Sequence, residues 1–150
     1  MGAAYFYHLT ESPLEAALLT LLPRALGQGW RVEVRGRDEG MMERLDRALW
    51  TGPEESFLPH GLAGGPHDAL QPVLLTSGGA AANRPACVMA VDGADVTAEE
   101  GAALERVCVL FDGIEPAAVE RARHQWRELT GGGLEGQYWA QEAGKWTRKA

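Results

Sequence analysis

Cysteine is scarce in this sequence. A chain of 150 residues contains only Cys87 and Cys108, and each lies within an apolar run, which is typical of a buried free thiol. No Cys-x-x-Cys spacing occurs, and the four histidines are scattered along the chain, so no zinc-binding pattern is present. We therefore expect no structural disulfide, no metal and no other cofactor.

Long apolar runs and an excess of positive charge are also missing. No run approaches the ~20 apolar residues of a membrane span, and the N-terminal residues lack a signal-peptide pattern. The formal charge is −7, whereas nucleic-acid-binding domains usually carry a basic surface. These features predict a cytoplasmic protein that binds neither membranes nor nucleic acid directly.

Glycine-rich phosphate-binding loops are absent as well. After the first apolar run, the sequence from His8 to Pro13 contains no glycine, and Glu11 places a negative charge where a phosphate would lie. Neither the dinucleotide fingerprint nor a Walker A loop occurs elsewhere. The sequence thus argues against a nucleotide site.

Short apolar runs alternate with helical patterns along the chain. Strands are predicted at residues 3–9, 30–35, 72–76, 86–91 and 107–111, and helices begin after Ser12, at Asp38, near Thr97 and at Pro116. Ser12 and Glu15 have the spacing of a capping box. The alternation predicts one domain over residues 1–150, a three-layer α/β/α fold with a mostly parallel sheet. The residues after Gly133 give no clear pattern.

Apolar side chains are unusually dense after the second helix. Trp50, Phe57 and Leu58 lie in a segment interrupted by prolines, although a surface loop is normally polar. They are either buried beneath the loop or exposed as a patch, and such patches usually mark interaction sites. His60 is the only histidine in a site-like context. Catalysis, partner contact and a loop-organising hydrogen bond remain alternatives for it.

The helix that begins at Pro116 carries a second candidate site. Arg123, Trp126 and Arg127 are neighbours at helical spacing. Trp126 could simply belong to the core. Alternatively, an indole beside two guanidinium groups could bind the carboxylate of a peptide that ends in an apolar residue.

The segment 45–64 resembles the chi subunit family of bacterial DNA polymerase III. The resemblance is carried by Leu-Asp-Arg-Ala-Leu-Trp at the helix end and by Pro-Glu-Glu-Ser-Phe-Leu-Pro-His after it. It implies a nucleotide-binding-like fold without a nucleotide site, and a non-catalytic adaptor of the clamp-loader assembly in DNA replication.

The resemblance also implies partners for the two candidate sites. Arg123, Trp126 and, by proximity, Arg127 would bind the C-terminal tail of single-stranded DNA-binding protein. Trp50, Phe57, Leu58 and His60 would dock the clamp-loader side through the subunit psi or an equivalent, and a helicase is a further candidate for the same patch. A small α/β enzyme with a site near His60, or an unrelated protein-binding domain, remains the alternative.

Overall fold

The computed structural model describes residues 2–51, 58–78 and 81–150. The strands in these ranges are β1 (Ala3–Leu9), β2 (Val32–Arg35), β3 (Gly61–Leu62), β4 (Val73–Thr76), β5 (Cys87–Ala90), β6 (Arg106–Asp112), β7 (Glu135–Glu142) and β8 (Lys145–Arg148). The α-helices are α1 (Leu14–Gly27), α2 (Glu39–Trp50), α3 (Ala98–Ala103) and α4 (Pro116–Gly131).

The strands form one sheet in the order β3-β4-β2-β5-β6-β1-β7-β8. Every neighbouring pair is parallel except β7 with β8, which is antiparallel. Helices α1 and α2 pack together, as do α3 and α4, and two separate apolar clusters hold the pairs to the sheet. The predicted three-layer α/β/α fold with a mostly parallel sheet is therefore confirmed.

Alternation along the central strand explains why two cores form. In β1, Tyr7 and Leu9 belong to the cluster beneath α1 and α2, whereas Ala4 and Phe6 belong to the cluster beneath α3 and α4. Successive side chains of a strand point to opposite faces of its sheet. An apolar strand with helices on both faces is therefore buried on both sides.

Three of the four helix starts agree with the prediction from the sequence. Asp38 caps α2 by accepting a hydrogen bond from the Met41 N–H at 2.8 Å, Thr97 forms a capping box with Glu100 at α3, and Pro116 opens α4. The capping box predicted for Ser12 and Glu15 is wrong. The α1 N-cap is Pro13, which has no side-chain acceptor, and the Ser12 hydroxyl instead accepts a hydrogen bond from Gln141 Nε2 at 2.8 Å.

The residues after Gly133, which show no clear pattern in the sequence, form the hairpin β7–β8. Strand β7 pairs in parallel with β1, and Glu142 lies opposite Lys145 across a two-residue turn. Both turn residues have positive φ, 51° at Ala143 and 76° at Gly144, as in a type I′ turn. The hairpin adds two strands to the edge of the sheet beyond β1.

Within the ranges that the structure describes, no helix combines the length and apolar character needed to cross a membrane.

Candidate protein-interaction surfaces

A cleft of about 750 Å³ opens where this fold usually binds nucleotides. It lies at the carboxyl ends of the central strands, where β1 continues into α1 on one face and the adjacent β6 continues into α4 on the other. Ligands of open α/β sheets bind at such a switch point. Here, however, the lining combines three acidic residues, Asp92, Asp112 and Glu115, with two arginines, Arg37 and Arg121, so the cleft has no excess of positive charge for a phosphate.

The anion-binding position at the start of α1 is filled by the protein itself. The backbone N–H groups of Thr10, Glu11 and Ser12 all donate to Oε1 of Gln141, at 3.0, 2.9 and 3.1 Å. Converging N–H groups of this kind bind phosphate in nucleotide-binding proteins. In this chain Gln141, on β7, satisfies these three N–H groups. This gives a physical reason why the sequence after β1 lacks a phosphate-binding motif.

The first candidate site lies where α4 packs against β7; we call it the α4–β7 cleft and define it by His8, Arg123, Trp126 and Tyr138. The indole of Trp126 packs edge-on against Phe6 and Tyr138, with ring centroids 5.3 and 6.0 Å apart. Trp126 is half-buried. The indole is therefore fixed by the core on one side and accessible on the other, and its binding of a peptide stays a prediction.

Glycine in β7 makes room for this indole. A Cβ atom at Gly136 would lie only 2.8 Å from the Trp126 ring and from the Thr130 methyl. A larger residue there would displace the ring, so Gly136 sets the position of the aromatic wall.

Arg123 supplies positive charge at the edge of the α4–β7 cleft. Its guanidinium is exposed and pairs with the Glu120 carboxylate at 3.0 Å. Burial raises the pKa of Tyr138, and the nearby Arg123 charge opposes this rise. Arg123 and Tyr138 are therefore electrostatic neighbours although they are 15 positions apart in the sequence.

Arg127 is also exposed, and it is the Arg123 charge that lowers the Tyr138 pKa. No ion pair or hydrogen bond of its side chain occurs among the described residues. The structure thus brings Arg123 and Trp126 to the α4–β7 cleft with Tyr138, and places Arg127 on the adjoining surface of α4.

Tyr138 and His8 are members of this cleft that sequence reasoning missed. Tyr138 Oη lies 2.7 Å from His8 Nδ1, and His8 Nε2 lies 3.3 Å from the Gly113 carbonyl oxygen. A carbonyl only accepts, so Nε2 carries the proton of the neutral ring and the tyrosine hydroxyl donates to Nδ1. This arrangement fixes the Tyr138 ring beside Trp126.

The second candidate site is the Trp50 surface, which we define by Trp50 and the residues that support it, Leu58 and His60. The Trp50 ring is 50% exposed and lies over the His60 ring with centroids 4.2 Å apart. Leu58 is only 4% exposed and belongs to the core beneath α1 and α2. The expectation that Leu58 is part of an exposed patch is corrected: it anchors the loop from below.

His60 is likewise buried rather than exposed, at 4%. Its Nδ1 lies 2.7 Å from the Leu58 carbonyl oxygen, and its Nε2 lies 3.1 Å from the backbone oxygen and 3.3 Å from the carboxylate of Asp46. Both nitrogens thus face oxygen atoms of the protein. The ring cross-links the loop to α2 and supports Trp50, and neither nitrogen is directed to a substrate.

Phe57, predicted for the same patch, lies outside the described residues. Among the described residues, no group of three or more His, Cys, Asp or Glu side chains could hold a metal ion.

Comparison with known proteins decides the family. Residues 1–137 match the family model described as DNA polymerase III chi subunit, HolC. This chain belongs to the DNA polymerase III chi subunit family. The match confirms the resemblance seen in the sequence and connects the chain with DNA replication.

Two curated relatives of the family are similar over shorter stretches. The DNA polymerase III subunit chi of Escherichia coli (strain K12) is 43% identical over 53 residues, which cover 35% of this chain and 36% of the relative. The probable DNA polymerase III subunit chi of Rickettsia prowazekii (strain Madrid E) is 29% identical over 70 residues, 47% of this chain and 42% of the relative. The matches thus span less than half the length of either relative.

The family match includes most but not all of the two sites. Trp50, His60, Arg123 and Trp126 lie within residues 1–137, whereas Tyr138 and strand β8 follow them. The α4 wall of the α4–β7 cleft therefore lies within the matched range, and part of the β7 wall lies beyond it.

Proposed function

We propose that this protein is a non-catalytic, single-domain adaptor of the clamp-loader assembly in the bacterial cytoplasm. The α4–β7 cleft binds the C-terminal tail of single-stranded DNA-binding protein, and the Trp50 surface docks the clamp-loader subunit psi or an equivalent. A helicase that bound the Trp50 surface would compete with this subunit. Holding two partners at once raises their local concentration without a chemical step.

The single observation that carries the tail-binding proposal is the juxtaposition of Arg123 with two fixed aromatic rings. A tail of this kind ends in an apolar residue with a free carboxylate. The guanidinium can donate two parallel hydrogen bonds to the carboxylate, while Trp126 and Tyr138 form the wall for the apolar side chain. Glu120 already pairs with Arg123, so an acidic tail has to displace a carboxylate of the protein.

Support for the adaptor role also comes from the arrangement around His60. An enzyme using this histidine would need a nitrogen directed to a substrate, but both ring nitrogens face oxygen atoms of Leu58 and Asp46. A rigidly supported, half-exposed indole is instead what an interface anchor requires, because aromatic anchors contribute a large part of interface energy.

Calorimetry with a tail peptide tests the tail site. We expect the wild-type protein to bind the peptide with micromolar affinity, on the order of −8 kcal/mol. Arg123→Ala should remove ~1.5–3 kcal/mol of this, the usual contribution of a charge-assisted hydrogen bond. Amidation of the terminal carboxylate should weaken binding to the wild type similarly, and should have little further effect in the Arg123 variant.

Two control variants make the result specific. Arg44→Ala removes the same charge from an exposed position of α2 and should leave the affinity nearly unchanged. Glu120→Gln releases Arg123 from its competing carboxylate and should strengthen binding. Additive losses from Arg123→Ala and from amidation would place the carboxylate elsewhere, for example on Lys145, Arg148 or Lys149, and would contradict the proposal.

A further inference from the structure

A separate cleft of about 270 Å³ lies on the opposite face of the sheet from α4. It opens between the last turns of α1 and the β7–β8 hairpin, and strands β1, β5 and β6 form its floor. Five aromatic rings contribute to its lining: Tyr5, Tyr7, Trp30, Trp139 and Trp146. None of these residues belongs to the α4–β7 cleft or to the Trp50 surface.

Arg106 is one of two charged residues that line this cleft. Its guanidinium carbon lies 4.1 Å from the centroid of the Tyr5 ring and 5.0 Å from that of the Trp30 ring. The rings stack on the guanidinium and hold it in place. Because the two aromatic rings cover the faces of the guanidinium, Arg106 forms hydrogen bonds through the N–H groups at the edge of this plane.

The edge of this guanidinium lacks a partner. Nε of Arg106 is buried and makes no hydrogen bond within the described part of the chain. No ion pair of Arg106 is formed among the described residues either. Arg106 as a whole is half-buried, but its Nε is buried, and most buried polar atoms are paired. An uncompensated cation in an aromatic cleft points to an anionic ligand.

The remaining lining residues favour the same class of ligand. Arg24 is the second cation of the cleft, and no Asp or Glu is present among its described lining residues, although the chain as a whole has a net charge of −7. The volume is close to the lower limit of ~300 Å³ for ligand pockets. The cleft is therefore electropositive and suited to a small, flat molecule.

A carboxylate fits better than a phosphate. The edge of a guanidinium matches the two oxygens of a carboxylate in a planar, bidentate arrangement. Gln28, the C-terminal cap of α1, lies at the rim, and the carbonyl end of a helix carries a partial negative charge. This charge opposes a dianion more strongly than a monoanion.

We propose that this cleft is a binding site for a small molecule that carries a carboxylate on a flat aromatic or apolar group. The carboxylate binds the edge of Arg106, and the apolar group lies against Trp139 and Trp146. This site is independent of the proposed adaptor function, since it shares no residue with either partner surface.

The five tryptophans provide a test that distinguishes the three sites. In a ¹⁵N-labelled sample, the indole N–H signals of Trp30, Trp139 and Trp146 report on this cleft, while those of Trp50 and Trp126 report on the other surfaces. We expect phenylacetate to shift the first three signals saturably and to leave the Trp50 signal in place; a shift of the Trp126 signal would report separate binding at the proposed tail site. Phenylacetamide, which lacks the charge, should bind roughly tenfold more weakly or worse, because a charge-assisted contact is lost.

Substitution of Arg106 then tests whether its guanidinium is the group that binds the carboxylate. In Arg106→Gln the acid and the amide should bind equally weakly, whereas Arg44→Gln, which removes an exposed charge from α2, should bind phenylacetate like the wild type. Arg106→Lys keeps the positive charge and serves if the glutamine variant does not fold; it should retain a preference for the acid. Equal binding of acid and amide to the wild type, or shifts confined to Trp126 or Trp50, would overturn the proposal.

Discussion

The α4–β7 cleft and the Trp50 surface each present a half-exposed or exposed indole, but the two rings are fixed by different physical means. Trp126 packs against Phe6 and Tyr138, so its position depends on the apolar core. Trp50 lies over His60, and His60 is fixed by oxygen atoms of Leu58 and Asp46. One indole is supported by packing, and the other by a buried polar residue.

Their electrostatic surroundings also differ. Arg123 lies beside the Trp126 indole, and its only carboxylate partner within the described residues is exposed, so an anionic ligand can compete for it. The oxygen atoms around His60 are buried within the loop and α2. The α4–β7 cleft is therefore suited to an apolar group that carries a negative charge, and the Trp50 surface is suited to an apolar side chain alone.

Removing His60 should produce the largest effect. His60→Ala removes the hydrogen bonding of the ring to the loop and α2 and creates a cavity beneath Trp50, so we expect a loss of ~2–4 kcal/mol in the free energy of unfolding. Urea titration measures this loss. His67→Ala, a substitution at an exposed histidine after β3, should change stability by less than ~0.5 kcal/mol. Equal stabilities for the two variants would show that His60 does not hold the loop.

Trp50→Ala should separate binding from stability. The ring is half exposed, so its removal should change the free energy of unfolding little, whereas loss of an interface anchor should weaken binding of psi or its equivalent by at least ~2 kcal/mol. Biolayer interferometry with the purified partner measures this change. Ile114→Ala, at an exposed apolar residue outside both surfaces, is the matched control. Affinity for the tail peptide should be unaffected, and a parallel loss there would mean that the two surfaces are not independent.

The sequence predicted local features of the fold well, because these depend on neighbouring residues. The alternation of strands and helices, the Asp38 cap and the Pro116 helix start are of this kind. The spacing of Arg123 and Trp126 also predicted that they are neighbours on one helix, and both lie on α4.

The other half of the site depends on contacts between distant residues. Tyr138 reaches His8 across 130 positions, and Gln141 fills the anion position after β1 across a similar separation. No spacing rule connects such residues. Leu58 was misjudged for a different reason, since an apolar side chain in a loop has the same sequence pattern whether it points into the core or towards a partner.

The hairpin β7–β8 was missed because its turn lacks the usual residues. Two-residue turns with positive φ at both positions favour Asn-Gly or Asp-Gly, and here the first position is Ala143 with φ of 51°. Ala143→Asn should therefore stabilise the protein by ~0.5–1 kcal/mol, since asparagine tolerates this conformation better than alanine. The thermal unfolding midpoint would measure the gain. Ala140→Asn, within β7, should give no such gain, and a stabilised Ala140 variant would count against the turn as the cause.

The smallest expected effect concerns the charge that distinguishes the α4–β7 cleft from the Trp50 surface. A nearby cation favours the ionised form of tyrosine and so lowers its pKa. Burial raises the pKa of Tyr138 above 10.0, and Arg123 opposes this rise. Arg123→Ala should therefore raise the pKa further, which a titration of ¹³C-labelled tyrosine followed by NMR would detect. Arg127→Ala should leave the Tyr138 titration unchanged, although it removes the same charge from the same helix. If the two variants shift the pKa equally, the field at Tyr138 comes from the whole helix surface. Arg123 would then have no special position in the cleft, and the tail carboxylate would have no preferred partner on α4.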